Sequence, residues 1–375
     1  MALWQFGANT GTHALVVGVG HYPHLPGGGG ALYPLHGGMG QLTSAPVSAK
    51  AVADWLATSY QSTPGATHPL SSLEVLISDT SPVTYEPRPG VGAQPVARAT
   101  FSNFEKAVLG WYQRLNQSPD NRAVFFFCGH GIAAGIQTTL LLEDFGSVPH
   151  AALRHALDFN KFHLGMDQCA ARTQCFFVDS CRVASTTLLN AFQSYGESIL
   201  TPPNRFSTPH RKAPSFFSTV PGAFAHGRPD QTSFFTEALL QALQGPGSAK
   251  DGGVWTIVPS VLYRALERLM ARVAQGSGAT QSCSVEHLAD FPLHVLPRPP
   301  TIPVSVDCNN PIDLATAVLR VTGTLGNREQ LPPVPKPWDL DLPTGQYRFL
   351  ATPPSGTPHV LDEIVFPPYT DVVLP

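Results

Sequence analysis

Apolar and polar positions along the chain follow two periods. Short, nearly continuous apolar runs occur at residues 12–20, 72–79, 123–132, 174–178 and 215–220. Runs of this length, rich in Val, Leu and Phe and bounded by small or turn-forming residues, predict strands buried on both faces of a parallel sheet. Between them the apolar positions recur at helical spacing. Ala51, Val52, Trp55 and Leu56 mark a helix over 44–57, with Ser44 as cap and Pro46 in its first turn. Phe101, Phe104, Val108, Trp111 and Leu115 mark a second over 99–115, starting near Thr100, and 233–243 is a further amphipathic helix. Helices are also expected at 152–160 and 256–274, a hairpin or strand over 138–143, and a closing strand over 291–296. Strands alternating with helices predict a doubly wound α/β layer.

From residue 298 the pattern changes. Alternating runs at 317–322, 346–350 and 362–366 are separated by proline and glycine, the pattern of a small all-β module resembling a β-sandwich. The proline-rich stretch 297–303 places the boundary, giving domains 1–297 and 298–375. No internal repeat is present. The length of 375 residues fits one large domain and one small one.

Charge and cysteine usage narrow the function classes. Charged residues make up 13% of the chain, against roughly 25% in an average protein. The net charge of −3 gives no reason to expect nucleic acid or an anionic membrane as partner. The N-terminus lacks a basic segment followed by an apolar core, and no apolar run approaches the roughly 20 residues needed to span a bilayer. Six scattered cysteines, at 128, 169, 175, 181, 283 and 308, form neither a disulfide framework nor a zinc-finger spacing. A reducing, cytoplasmic location is the expectation, with no metal or other cofactor. The glycines at 27–30 are followed by no Gly-Lys-Ser/Thr and no helix, so they do not read as a phosphate cradle.

Two of the strand-like runs end in reactive residues. The first ends Cys128-Gly-His-Gly131, the second Asp179-Ser-Cys-Arg182. Open α/β sheets carry their sites at the carboxyl edge, so adjacent parallel strands would bring His130 and Cys181 together. A thiol attacks a carbonyl as the thiolate, and at an ordinary pKa of about 8.5 little of it is ionised at neutral pH. A neighbouring imidazole takes the proton and returns it to the leaving amine. The flexible backbone at Gly131 and the N–H of Cys181 are candidate oxyanion donors.

These motifs resemble those of the caspase-like cysteine peptidases, in particular their bacterial, metacaspase-type branch. The resemblance rests on Gly129-His130-Gly131 and Asp179-Ser180-Cys181, spaced 181 − 130 = 51 residues apart, and on flanking segments at 14–22, 48–56, 216–222 and 234–243. It covers roughly residues 12–297. It implies a mixed, mainly parallel six-stranded sheet flanked by helices, and an endopeptidase acting on protein or peptide substrates through a Cys181–His130 dyad. It further implies that Asp179 lines the S1 pocket and selects Arg or Lys. Ser48 stands where this branch usually has a second pocket aspartate. Calcium activation is not implied, because Glu143 and Asp144 are a pair and not an acidic cluster.

The Ser/Thr/Pro-rich segment 182–213 has two readings: an inert surface loop, or, as the resemblance implies, the linker cut in processed relatives, with Arg205, Arg211 and Lys212 as candidate processing sites for the enzyme itself or for an upstream activating protease. Bacterial members of this kind serve regulated proteolysis and defence, which sets the expected context. The competing reading is a catalytically silent module that uses the same fold to bind a partner. A serine hydrolase is disfavoured, since no G-x-S-x-G elbow is present.

Overall fold

The computed structural model describes all residues except 1, 8–9, 63–66, 184–195, 203–210, 276 and 324–325. The chain divides into two compact units. The first comprises 1–240 and 270–291, the second 241–269 and 292–375. Where the sequence pattern places a single boundary near 297, residues 241–269 thus group with the C-terminal strands.

The first unit is built on a sheet with seven strands among the described residues: β1 (Ala2–Gln5), β2 (Thr12–Val19), β3 (Leu70–Ser78), β4 (Arg122–Cys128), β5 (Thr173–Asp179), β6 (Ser215–Phe217) and β7 (Ser284–Glu286). Their spatial order is β1-β3-β2-β4-β5-β6-β7. The five inner strands are parallel to one another, and β1 and β7 close the edges antiparallel. The mainly parallel α/β class holds, with seven strands in place of the expected six. The extra strand β1 carries four residues, too few to display a period.

The other edge also differs. β7 reads Ser-Val-Glu and has no apolar run to announce it. The apolar stretch expected to close the sheet places His294–Val295 instead against Val254–Ile257, in a separate three-stranded sheet of the second unit. Two expected helices are trimmed by strand pairing. Ala156–Asp158 pairs with Gln137–Leu141, so the helix there begins only at Phe159, and Val254–Ile257 precedes a helix that begins at Pro259.

Helices cover both faces of the sheet. Alternate residues of a strand point to opposite faces. Leu15, Val17, Phe125, Phe127, Phe176 and Val178 pack with α2 (Phe101–Leu115) and α3 (Phe159–Gly165) in one core. Trp111 and Phe104 of α2 and Phe162 of α3 surround the Phe125 ring. On the other face lies α1 (Ser44–Thr58), which approaches closely because Gly18 of β2 has no side chain. A Cβ there would stand 2.6 Å from that of Ala49. The cap of α1 is Thr43, one residue before the expected Ser44, and it makes no side-chain cap bond. Thr100 does cap α2, accepting the Asn103 N–H. Among the described residues the remaining α-helices are α4 (Phe234–Leu243), α5 (Pro259–Ala274) and α6 (Pro311–Thr316).

In the second unit, the strands β8 (Thr301–Cys308), β9 (Val318–Gly323), β10 (Gly326–Gln330), β11 (Trp338–Pro343), β12 (Gly345–Thr352), β13 (His359–Val365) and β14 (Thr370–Leu374) form two sheets. Their orders are β11-β8-β14 and β10-β9-β12-β13. Ile302, Val304, Leu340 and Val372 of one and Leu319, Val321, Phe349 and Val365 of the other share one core. This is the C-terminal all-β module that the alternating pattern predicts.

Candidate active site at the carboxyl edge of the sheet

The strand register brings the site together. β4 and β5 are in parallel register from Arg122↔Thr173 to Cys128↔Asp179. Every pair in that ladder is offset by 51 residues, and so are His130 and Cys181. Each lies two residues beyond the last paired position, at the same depth on adjacent strands. The backbones that carry them are in close approach. A Cβ built on Gly131 would lie 2.7 Å from the Cys181 carbonyl oxygen and 2.5 Å from Ser180 Oγ. Gly131→Ala is therefore expected to push the two strand ends apart. A misplacement of about 1 Å costs on the order of 100-fold in rate, and kcat/KM set beside the circular dichroism melt separates that loss from unfolding.

His130 is held from three sides. Its Nε2–H donates to the Gly40 carbonyl at 2.7 Å. Its backbone N–H donates to the Tyr22 hydroxyl at 2.8 Å, and the two rings pack at 4.9 Å between centroids. With Nε2 as the donor, Nδ1 carries the free lone pair and is the basic nitrogen. Burial pulls the imidazole down to about 4, because a low-dielectric site disfavours the cation. Burial pushes the Cys181 thiol up, opposed by the Ala225 N–H that donates to Sγ at 3.2 Å. The resting pair is thus neutral thiol and neutral imidazole.

The same burial acts on His13, held at about 4, and His163, at about 3, against an ordinary value of 6.5. Between those limits the unfolded chain binds protons that the folded one does not. Stability is therefore complete above about pH 6.5 and lost as the pH falls through 4. Urea midpoints measured from pH 7 down to pH 4 are expected to fall steadily.

The backbone beside His130 leaves a donor unpaired with the neighbouring strand. Residues 131–134 form a short strand against 137–141, with Gly131 opposite Leu140. The Leu141 N–H donates to the His130 carbonyl. That makes Gly131–Leu140 a non-hydrogen-bonded pair, whose N–H groups point away from each other. The Gly131 N–H faces outward from the ladder, as an oxyanion donor must.

Asp179 and Ser48, the expected S1 residues, converge on Ser233, at the start of α4. Asp179 is buried, and its Oδ2 accepts hydrogen bonds from the Ser233 hydroxyl, from Thr236 Oγ1 at 2.7 Å and from the Cys128 thiol at 3.4 Å. Ser48 Oγ accepts the Ser233 N–H at 3.0 Å. Burial raises the carboxyl of Asp179, and the hydroxyls of Ser233 and Thr236 act against that shift.

Arg205 lies outside the described residues, as does most of 182–213. Arg211 is half-buried, with its guanidinium bonded to Asp167, to Gln174 Oε1 at 2.6 Å and to the His163 carbonyl at 2.5 Å. Lys212 forms a β-bridge with Thr173, and its Nζ donates to the Asp290 carbonyl. Cleavage after Arg211 or Lys212 would first have to break those contacts. Arg182 is buried. It pairs with Glu286 at 2.9 Å and stacks 4.2 Å over Phe217, tying the strand end beside Cys181 to β7. Glu143 accepts from Arg98 and Ser78, and Asp144 accepts the Phe101 N–H, so both carboxylates have structural partners.

Several residues of the site carry no sequence signal of their own. Tyr22, Gly40 and Gln41 lie in a loop about 90–110 residues before His130, and Ala225 lies 44 residues after Cys181. The sequence pattern reads Ser233 only as the first residue of the helix over 233–243, which begins at Phe234. Ser233 does accept the Thr236 N–H there, while its hydroxyl also serves Asp179.

Known proteins match this arrangement at the level of the domain. Residues 12–289 match the family profile described as the caspase domain. An uncharacterized protein, y4kE, of Sinorhizobium fredii is 25% identical over 280 residues, covering 68% of this chain and 78% of that one. A protein named a probable protease, from a Desulfuromonadales bacterium, is 25% identical over 300 residues, covering 71% of this chain and 34% of its own length. Among solved structures, GSU0716 from Geobacter sulfurreducens aligns with a TM-score of 0.45 at 14% identity, over 76% of this chain and 98% of that one. Caspase-1 from Spodoptera frugiperda aligns with a TM-score of 0.42 at 13% identity, over 77% and 89%. Among the described residues, no helix is long and apolar enough to cross a membrane.

Proposed function

The chain belongs to the caspase-domain family, and on that premise we propose that it is a cysteine endopeptidase with Cys181 as nucleophile and His130 as general base and acid. The observation that carries this reading is the common register of the two residues at the ends of adjacent strands, with Gly131 packed against the Cys181 backbone. In the reaction, His130 Nδ1 takes the thiol proton as Sγ attacks the scissile carbonyl carbon. The N–H groups of Gly131 and Cys181 receive the oxyanion, each such donor contributing about 3 kcal/mol to a transition state of this kind. The imidazolium then protonates the leaving amine, and water, deprotonated by the same nitrogen, releases the acyl group and regenerates the thiol.

For the substrate we assign Asp179 to the floor of the S1 pocket, with cleavage after Arg or Lys. A carboxylate at that depth, held by the hydroxyls of Ser233 and Thr236, repels an acidic P1 side chain and gives a basic one its counter-charge. Ser48 contributes a hydroxyl where a second carboxylate would strengthen the same preference, so selectivity rests on Asp179.

A fluorogenic peptide panel with Arg, Lys, Asp or Leu at P1, run on wild type and Cys181→Ala, tests both statements. Turnover of the Arg and Lys substrates that disappears in Cys181→Ala is the expected result. Cys181-dependent turnover of Asp or Leu substrates would keep the dyad and discard the pocket assignment. An absence of turnover in the wild type, with and without prior cleavage of 182–213, would favour a binding module over a peptidase.

A further inference from the structure

We infer that Gln41 is a positioning residue for His130, acting by clamping the loop whose Gly40 carbonyl orients the imidazole. The inference rests on the reading of His130 as the catalytic base. Gly40 supplies the acceptor for Nε2–H, and a carbonyl in an irregular loop orients a ring only if the loop itself is fixed. The next side chain fixes it. Gln41 Oε1 accepts the Tyr22 N–H at 2.8 Å, and Nε2 donates to the Tyr22 carbonyl and to the Pro26 carbonyl, each at 3.0 Å. The primary amide thus pairs with both backbone groups of Tyr22, as a strand neighbour would. On the other side of Gln41, the Leu42 N–H donates to the Gly20 carbonyl at 2.8 Å.

The clamp closes a circuit around the imidazole. Tyr22, gripped by Gln41 through its backbone, is fully buried and reaches His130 through its side chain. Its hydroxyl accepts the His130 N–H and donates to the Leu141 carbonyl at 3.2 Å. One side chain therefore fixes both what the ring packs against and what its Nε2–H points to. Without it, the loop loses the side-chain anchor next to Gly40. The imidazole would then exchange between tautomers and ring orientations, and Nδ1 would face the thiol only part of the time. The bonds of Gln41 run to backbone groups of its own loop, so the loss is expected in turnover and not in binding.

The test replaces Gln41 by methionine, close in size but unable to form these bonds. Two readouts are taken: steady-state kinetics, and the 15N shifts of the His130 ring, assigned by the signals that vanish in His130→Gln. The wild type is expected to show the Nε2–H tautomer at pH 7. In Gln41→Met the shifts move toward a tautomer mixture, while kcat falls about 10- to 100-fold with KM within about twofold. If Gln41→Met does not fold, Gln41→Glu keeps the length and the Tyr22 acceptor but removes the donor, and the same shifts are read on it. Unchanged His130 shifts and unchanged kcat, with only a lowered melting temperature, would overturn the inference. A wild type without peptidase activity would instead strike the catalytic reading, and the ring shifts would still decide the role of Gln41.

Discussion

His130→Ala is expected to lower kcat/KM by about 10²- to 10⁴-fold, the range that a single positioned acid–base group supplies. The fold should be retained, because, among the described residues, the ring's polar contact runs to the Gly40 carbonyl of a loop and not to the strand ladder. The resting pair makes the effect large. With the thiol pushed up by burial and the imidazole neutral, Cys181 has little thiolate of its own to fall back on. Cys181→Ala should remove peptidase activity altogether. The double variant should be no worse than Cys181→Ala, since residues that act as a unit do not contribute additively. The measurement is kcat/KM on an Arg substrate for the three variants. A His130→Ala enzyme within a few-fold of wild type would mean that some other group takes the proton.

Asp179→Ala is expected to act on both specificity and stability. The variant leaves the buried Ser233 and Thr236 hydroxyls and the Cys128 thiol without their shared acceptor. Each buried donor left unpaired costs about 1–3 kcal/mol, so urea unfolding should show a loss of a few kcal/mol. On the proposed S1 assignment, the same change removes the counter-charge for a basic P1 side chain. The ratio of kcat/KM for Arg over Leu at P1 should then fall by at least about 10-fold, the scale set by losing one partner of a buried charge pair. Asp179→Asn keeps an acceptor oxygen. It should recover part of the stability and little of the Arg preference, which separates the two roles. An unchanged Arg-to-Leu ratio in both variants would make Asp179 a structural carboxylate alone.

The placement of His130 and Cys181 side by side was legible in the sequence because it rides on strand register. β4 and β5 are contiguous apolar runs in unbroken parallel pairing, so the 51-residue offset of Arg122↔Thr173 passes unchanged to the two residues that follow. Nothing in the intervening loops can alter it. Asp179 was legible for the same reason, as the last paired residue of β5. What holds His130 was not. Gly40 and Gln41 lie among glycines and turn residues with no period, and their role depends on where a loop folds back in space. Ser233 illustrates a half-visible case: helix-start chemistry is local, but the Asp179 contact spans 54 residues. Local pattern also failed at 156–158, where pairing with 139–141 overrode a helical reading, and at β7, whose Ser-Val-Glu sequence is defined only by the neighbour it pairs with.

The most direct measurement of the central claim is affinity labelling. A peptidyl acyloxymethyl ketone with Arg at P1 is incubated with the full chain and the product mapped by intact mass and peptide sequencing. A single adduct on Cys181, slowed strongly in His130→Ala and absent from Cys181→Ala, is the predicted result. It would show a thiol activated by its neighbour and aligned with a bound peptide. Labelling spread over several of the six cysteines, or labelling of Cys181 at the same rate with and without the imidazole, would contradict the dyad.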